Sequence, residues 1–170
     1  FRYRKMSEAV LGAQRLMVMG HLRPGWELDY EGSPEIYKVA GLGKVVMDER
    51  LEDGRFNLLL WGMKRIRIKE VVQEKPFRMA RVEIIDDIFS KTAPDFLDSL
   101  ESEILNLLQK VTASSKKSGV EEDPAVPSVS DVPYGALPLG LLCDTVASSA
   151  VTSSLDKQML LEESDVIRRA

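Results

Sequence analysis

The stretch Lys44-Val45-Val46-Met47-Asp48-Glu49-Arg50-Leu51-Glu52-Asp53-Gly54-Arg55-Phe56-Asn57-Leu58-Leu59-Leu60 decides the fold. Asp-Gly between two β-rich runs is the strongest short hairpin signal, because tight hairpin turns need residues that tolerate positive φ. The flanking runs, Tyr37–Leu51 and Arg55–Val72, are therefore read as a long antiparallel pair. In the second run Ile66 and Ile68 alternate with Arg65, Arg67 and Lys69, the period-two pattern of a sheet with one wet face. Gly41, Gly43 and Gly62 interrupt these runs and point to bulges or bends of a small barrel. Lys75-Pro76 makes a second turn, and Phe77–Ile85 alternates as a further strand.

Upstream, Phe1–Gln14 reads as a short helix with Phe1, Tyr3, Met6, Val10 and Leu11 as its apolar side, ended by Gly12. Leu16–Leu22 reads as a short strand. From Arg23 to Ile36, Pro24-Gly25, Gly32 and Pro34 break any regular element and leave a loop. That loop carries Trp26 and Tyr30, which are read first as a lid folding back on the barrel, since large aromatics stabilise by burial.

Downstream of Asp86 the apolar period changes from two to 3.6. Thr92 is a candidate N-cap, Pro94 suits the first helical turn, and Phe96, Leu97, Leu100, Ile104, Leu107, Leu108 and Val111 form one stripe. Residues 112–133 mix serine and proline with almost no large apolar residue and are expected to be a flexible loop. Helical signals return at Pro138–Ser149, at Leu155–Glu162 behind a Ser154 cap, and in a terminal segment opened by Ser164 or Asp165 and ending at Arg168-Arg169. The fold class is α+β, with a β-rich domain over residues 1–90 and a helical one over residues 91–170.

Composition narrows the functions. Of 170 residues, 44% are hydrophobic and 29% charged, enough to bury a core and stay in solution. The net charge of −4 withholds the basic field that bulk nucleic-acid binding requires. The single cysteine, Cys143, excludes an internal disulfide and fits a reducing compartment. No apolar run approaches a membrane span, and Met6-Ser7-Glu8 is no signal peptide, so a cytoplasmic protein without a membrane partner is expected.

The residue patterns of catalysis are missing. Gly41-Leu42-Gly43-Lys44 lacks the spacing and following hydroxyl of a phosphate loop, and opens no helix. His21 is the only histidine, which rules out a His-pair metal site, and its place at a strand end favours a structural role. Cys143 lies on an apolar helical face, and no serine sits on a strand-turn-helix elbow. No catalytic, cofactor-binding or metal-ligating residue is therefore expected. Two contact surfaces remain. One is the group Trp26, Tyr30 and Tyr37, whose aromatics are either interface anchors or a packed lid. The other is the strand bearing Arg65 and Arg67, which is either a binding face or a solvated, aggregation-resistant one.

These residues also resemble a known family. The segment from His21 through Trp26, Tyr30 and Tyr37 to Lys44 resembles the substrate-binding (LON) domain of Lon proteases, especially bacterial proteins made of that domain alone. Glu49–Leu60 with Gly62 and Arg65, Phe77–Glu83, Leu141–Ser149 and Asp156-Lys157-Gln158 are similar to further parts of it. The resemblance implies a PUA-like β pseudo-barrel followed by a C-terminal helical bundle. It implies a non-catalytic module that recognises unfolded or tagged proteins and peptides, as an accessory in protein quality control. The ATPase and Ser-Lys protease of full Lon enzymes lie in later domains, outside this sequence. Family members also begin with an apolar, proline-containing strand that is expected upstream of Phe1. Without it the barrel has an open edge, and self-association through that edge is expected. The alternative is PUA-like RNA binding through Arg65 and Arg67, which predicts affinity falling steeply with salt.

Overall fold

The structure is a computed structural model and describes residues 1–29, 32–91, 94–115, 137–151 and 153–170. Tyr30, Thr92 and residues 116–133 of the expected loop lie outside them. The chain divides into two compact units, Phe1–Asp86 and Asp87–Ala170.

The first unit is a helix and a four-stranded antiparallel sheet. Helix α1 (Arg2–Leu11) closes at Gly12, whose N–H donates to the Glu8 carbonyl at 3.0 Å. Strands β1 (Leu16–Met19), β2 (Val39–Arg50), β3 (Phe56–Gln73) and β4 (Met79–Ile85) follow in the order β1-β2-β3-β4. Of the stripe read from its sequence, Met6, Val10 and Leu11 are half-buried, while Phe1 is 88% exposed and Tyr3 is also exposed. The fully buried residue of the helix is the small Ser7, which a periodicity of large apolar residues does not reveal.

The hairpin forms where Asp53-Gly54 places it. Gly54 has φ +78°, and Asp53 accepts from the backbone N–H of Arg55 at 2.9 Å. That bond, with the Arg55 side chain beside it, holds the Asp53 carboxyl below its usual range. Strands of 12 and 18 residues are long beside the usual five or six, and they bend through bulges. The β2–β3 register shifts between Leu42 and Gly43, and again between Val45 and Met47. The β3–β4 register shifts between Ile68 and Glu70, and between Val71 and Gln73. A Cβ on Gly43 would stand 3.3 Å from the Leu60 side chain and from the Trp61 carbonyl oxygen, so glycine permits the close approach there. Met17 and Val45 are buried on one side of the sheet, and Ala40 and Ile66, paired across β2 and β3, on the other.

The second unit contains α2 (Pro94–Ser115), α3 (Leu139–Ala150), α4 (Ser154–Glu162) and the short α5 (Val166–Arg169). Helix α2 continues to Ser115, past the Thr112 at which the sequence reading began its loop. Residues 112–115 lack large apolar side chains, but they extend an amphipathic helix already nucleated, which costs little. Ile104, Leu142, Cys143 and Val166 make the core of this unit. Ser153, one residue before the expected cap, accepts from the Asp156 N–H at 3.3 Å.

Asp165 caps α5 by accepting from Ile167 N–H at 3.0 Å, and its other oxygen accepts from the Ser90 hydroxyl. The Ser90 hydroxyl, helped by backbone N–H donors, holds the Asp165 carboxyl below its ordinary value. A carboxyl depressed in the folded state contributes stability above its unfolded pKa, near 4, and loses it as pH falls through the folded value. Thermal melting between pH 5 and pH 2 should therefore decline less steeply in Asp165→Asn than in the parent chain. Parallel declines would remove Asp165 from the acid response.

Candidate binding cleft

The loop between β1 and β2 is closed at its base by main-chain bonds. Tyr37 N–H donates to the His21 carbonyl at 2.9 Å, Arg23 N–H donates to Glu35 at 2.8 Å, and Leu22 bridges Ile36 between them. This two-rung stem explains how a segment rich in glycine and proline holds a shape. At its start Pro24-Gly25 turns the chain, with Gly25 at φ +88° and Trp26 N–H donating back to the Arg23 carbonyl at 3.3 Å. A single 3₁₀ turn, Trp26–Asp29, follows.

Side chains fix the returning limb. Arg78 donates to the Pro34 carbonyl at 2.7 Å and to Glu74 at 3.3 Å, and Glu74 accepts from the Ser33 hydroxyl. The Ser33 hydroxyl, with Arg78 alongside, holds the Glu74 carboxyl below the usual range. The β3–β4 end of the sheet thereby anchors a loop that begins more than 40 residues earlier in the chain. Pro34 is buried by this arrangement.

The result is a cleft of about 430 Å³ lined by Arg23, Pro24, Gly25, Trp26, Ser33, Pro34 and Glu35. That volume falls within the range of small-ligand and side-chain pockets. Trp26, Pro24 and Pro34 supply apolar surface. Arg23 and Glu35 carry opposite charges 3.9 Å apart, half or more exposed to water. The Arg23 guanidinium also lies 5.2 Å from the centroid of the Tyr37 ring, and that ring stacks on His21 at 5.4 Å. His21 is thus a packing partner, in keeping with the structural role read for it.

The residues singled out from sequence fare differently. Trp26 is half-buried and lines the cleft, while Tyr37 is half-buried in the stem beneath Arg23. Tyr30 lies outside the described residues. Arg65 requires a correction. It is 8% exposed in β3, between Gly41 of β2 and Ile85 of β4, and so does not belong to a wet face. Arg65 and Ile66 follow one another in a regular stretch of the ladder and so point to opposite faces, both of which are covered at this point of β3. Arg67 is exposed and faces Glu83 across the β3–β4 ladder. Glu83 is ion-paired with Lys69 at 2.6 Å, and that contact, with Arg67 a lesser influence, keeps its carboxyl below the ordinary range. Neither arginine lines the cleft.

Sequence reading missed the cleft's charged rim and its brace. Pro24-Gly25 and Pro34 were visible as punctuation, but nothing local ties Arg78 or Glu74 to a loop 40 residues away. Among the described residues no group of three or more His, Cys, Asp or Glu is placed to hold a metal ion. No helix among them is long and apolar enough to cross a membrane. Cys143 is buried, and burial pushes its thiol pKa up, away from nucleophilic reactivity.

Comparison with known proteins gives a consistent result. A family model described as the ATP-dependent protease La (LON) substrate-binding domain matches residues 1–170. A Lon protease from Cytophaga hutchinsonii is 30% identical over 137 residues, covering 80% of this chain and 16% of that protein. One from Trichlorobacter lovleyi is 29% identical over 147 residues, covering 83% and 16%. The chain therefore spans about a sixth of the length of these relatives. Among solved structures, the N-terminal domain of a Mycobacterium avium complex Lon protease superposes with a TM-score of 0.54 at 17% identity, covering 90% of this chain and 85% of that one. A Lon N-terminal domain protein from Xanthomonas campestris gives 0.53 at 13% identity, covering 92% and 86%. At such identities these two are likenesses of fold.

Proposed function

The chain belongs to the LON substrate-binding domain family, and from that premise we propose that it is a non-catalytic module that binds segments of other polypeptides in the Trp26 cleft. The observation that carries this reading is the cleft itself, an apolar floor of Trp26 and two prolines under a rim bearing both charges. An apolar side chain of a bound segment fits such a floor, and its flanking peptide groups meet Arg23, Glu35 and Ser33. The Ser33 hydroxyl donates to Glu74, whose carboxyl also accepts from Arg78 and is held below the usual range, which makes it a poor base.

The accessory role in protein quality control belongs to this proposal, as do unfolded or tagged proteins as the partners. The PUA-like pseudo-barrel and the helical bundle are its architectural part, supported by bulged strands that bend as they would in a closed sheet. RNA binding finds less support. Lys64 pairs with Asp86 and Lys69 with Glu83, and Arg65 is buried, which leaves little free positive charge along the basic strand.

Trp26→Ala should weaken binding to permanently unfolded, carboxymethylated α-lactalbumin by roughly tenfold, the loss typical of a partly buried aromatic anchor. Leu28→Ala is the control, since Leu28 is 95% exposed in the same loop and does not line the cleft. Equal affinities of parent and Trp26→Ala, measured by fluorescence anisotropy, would reduce the cleft to a structural feature.

A further inference from the structure

A second surface lies on strands β1 to β3, at the exposed end of the face that is buried at Ala40 and Ile66. Cross-strand register sets Leu16, Lys44 and Trp61 in one row and Val18, Leu42 and Lys64 in the next. Trp61 is 67% exposed, far more than the half-buried Trp26. Val46 and Met63, the residues skipped in the two β2–β3 register shifts, are exposed beside it. Each bulge thus adds an apolar side chain where the sheet already shows a tryptophan. Contiguous apolar surface of this kind marks interaction sites more often than chance exposure.

We propose that this face docks an amphipathic helix of another polypeptide, with an acidic residue beside the helix's apolar stripe. The choice of a helix follows from the backbone. Strand β2 is bonded to β1 on one side and β3 on the other, so the centre of the patch, at Lys44, offers no free strand edge. An extended segment lying on it would bury its own N–H and C=O groups unpaired, whereas a helix satisfies them internally. From Leu16 to Trp61 is two strand spacings, about 10 Å, which is also the diameter of one helix with its side chains.

The acidic residue follows from Lys44. It stands between Leu16 and Trp61, is exposed, and makes no ion pair among the described residues, while Lys64 in the next row is paired with Asp86 at 3.2 Å. An ammonium ringed by apolar side chains favours a carboxylate, since partial desolvation strengthens the pair. The same lysine disfavours a second copy of this chain, because face-to-face packing would set positive charge against positive charge. The surface shares no residue with the Trp26 cleft, so the two proposals stand or fall separately.

The two tryptophans allow a direct test, since each gives its own indole N–H resonance, assigned with Trp26→Phe. The probe is a synthetic helix of about five turns, with leucines at three- and four-residue spacing flanked by glutamates. Its counterparts carry lysine for glutamate, or the same composition in period-two order. The glutamate helix is expected to shift the Trp61 indole and to bind roughly tenfold tighter than either counterpart. Lys44→Glu should reverse the charge preference. Trp61→Ala should cost a similar factor in affinity with an unchanged melting temperature, because its side chain is mostly in water already. A shift confined to Trp26, no shift with any peptide, or equal binding of the period-two peptide would overturn the proposal. So would a concentration-dependent dimer in sedimentation that perturbs Trp61 without peptide, which would assign the face to a second copy.

Discussion

Arg169→Met is expected to destabilise the C-terminal unit by about 3 kcal/mol, read from chemical denaturation followed by far-UV circular dichroism. The Arg169 side chain is fully buried one residue before Ala170. Its guanidinium donates to both oxygens of Asp87 at 3.1 and 3.0 Å, to the Glu163 carbonyl at 3.0 Å, and to the Gly140 carbonyl at 3.3 Å. Asp144 completes the set, with Oδ1 3.1 Å from Nε. One planar cation thus ties the start of the unit, the first turn of α3 and the turn before α5 together. Guanidinium suits this because its donors form a rigid fork, which lysine cannot reproduce. Methionine preserves much of the stem volume and removes every polar bond.

The loss should sit at the lower end of the range for broken buried ion pairs. Asp87 and Asp144 are 37% and 47% exposed, so their carboxylates can rehydrate once the cation is gone. Asp87→Ala should cost less, about 2 kcal/mol, because Asp144 still compensates the charge. The double mutant Arg169→Met/Asp87→Ala should fall well short of the sum, as residues of one network do. A loss under about 0.5 kcal/mol for Arg169→Met, the size of an ordinary surface change, would mean that the network does not hold the unit together.

This network shows where sequence reading stops. Arg168-Arg169 reads as a pair of basic residues ending a terminal segment, with nothing to separate them. In the structure Arg168 is largely exposed and pairs with Glu163 at 3.1 Å, while the side chain of its neighbour is fully buried. The distinction comes from partners 82 and 29 residues away. Features set by local chemistry were legible. The Asp53-Gly54 hairpin, the Gly12 helix end, the Asp165 cap and the apolar positions Leu100 and Ile104 of α2 follow from residues within a few positions of each other. Of the candidate site, Trp26 was visible because tryptophan in a glycine- and proline-rich loop is unusual. The rest of the cleft was not, since Ser33 and Pro34 take their places from Glu74 and Arg78. Trp61 was hidden for the opposite reason. It continues Leu58-Leu59-Leu60, and a run of apolar residues in a strand reads as core until bulges decide which side each one faces.

The sharpest test of which faces of β3 are covered uses Ile66 with its near neighbours. Ile66→Ala is expected to cost about 2–5 kcal/mol, the range for truncating a large aliphatic side chain in a packed core. Ile66 is 0% exposed and sits between Ala40 of β2 and Ile84 of β4, where the sheet is paired on both sides and has little room to collapse onto a cavity. Arg67→Ala, one residue on, should change stability by no more than about 0.5 kcal/mol, as exposed positions generally do. Strict alternation would then make Arg65 as tolerant as Arg67. The burial of Arg65 predicts instead that Arg65→Ala is costly, because its stem is packed between Gly41 and Ile85. Three consecutive variants measured in urea thus separate a sheet covered on one face from a sheet covered on both. Losses at both Arg65 and Ile66 but not at Arg67 support cover on both faces at this point of β3. Indifference at Arg65 would leave only the face of Ile66 covered.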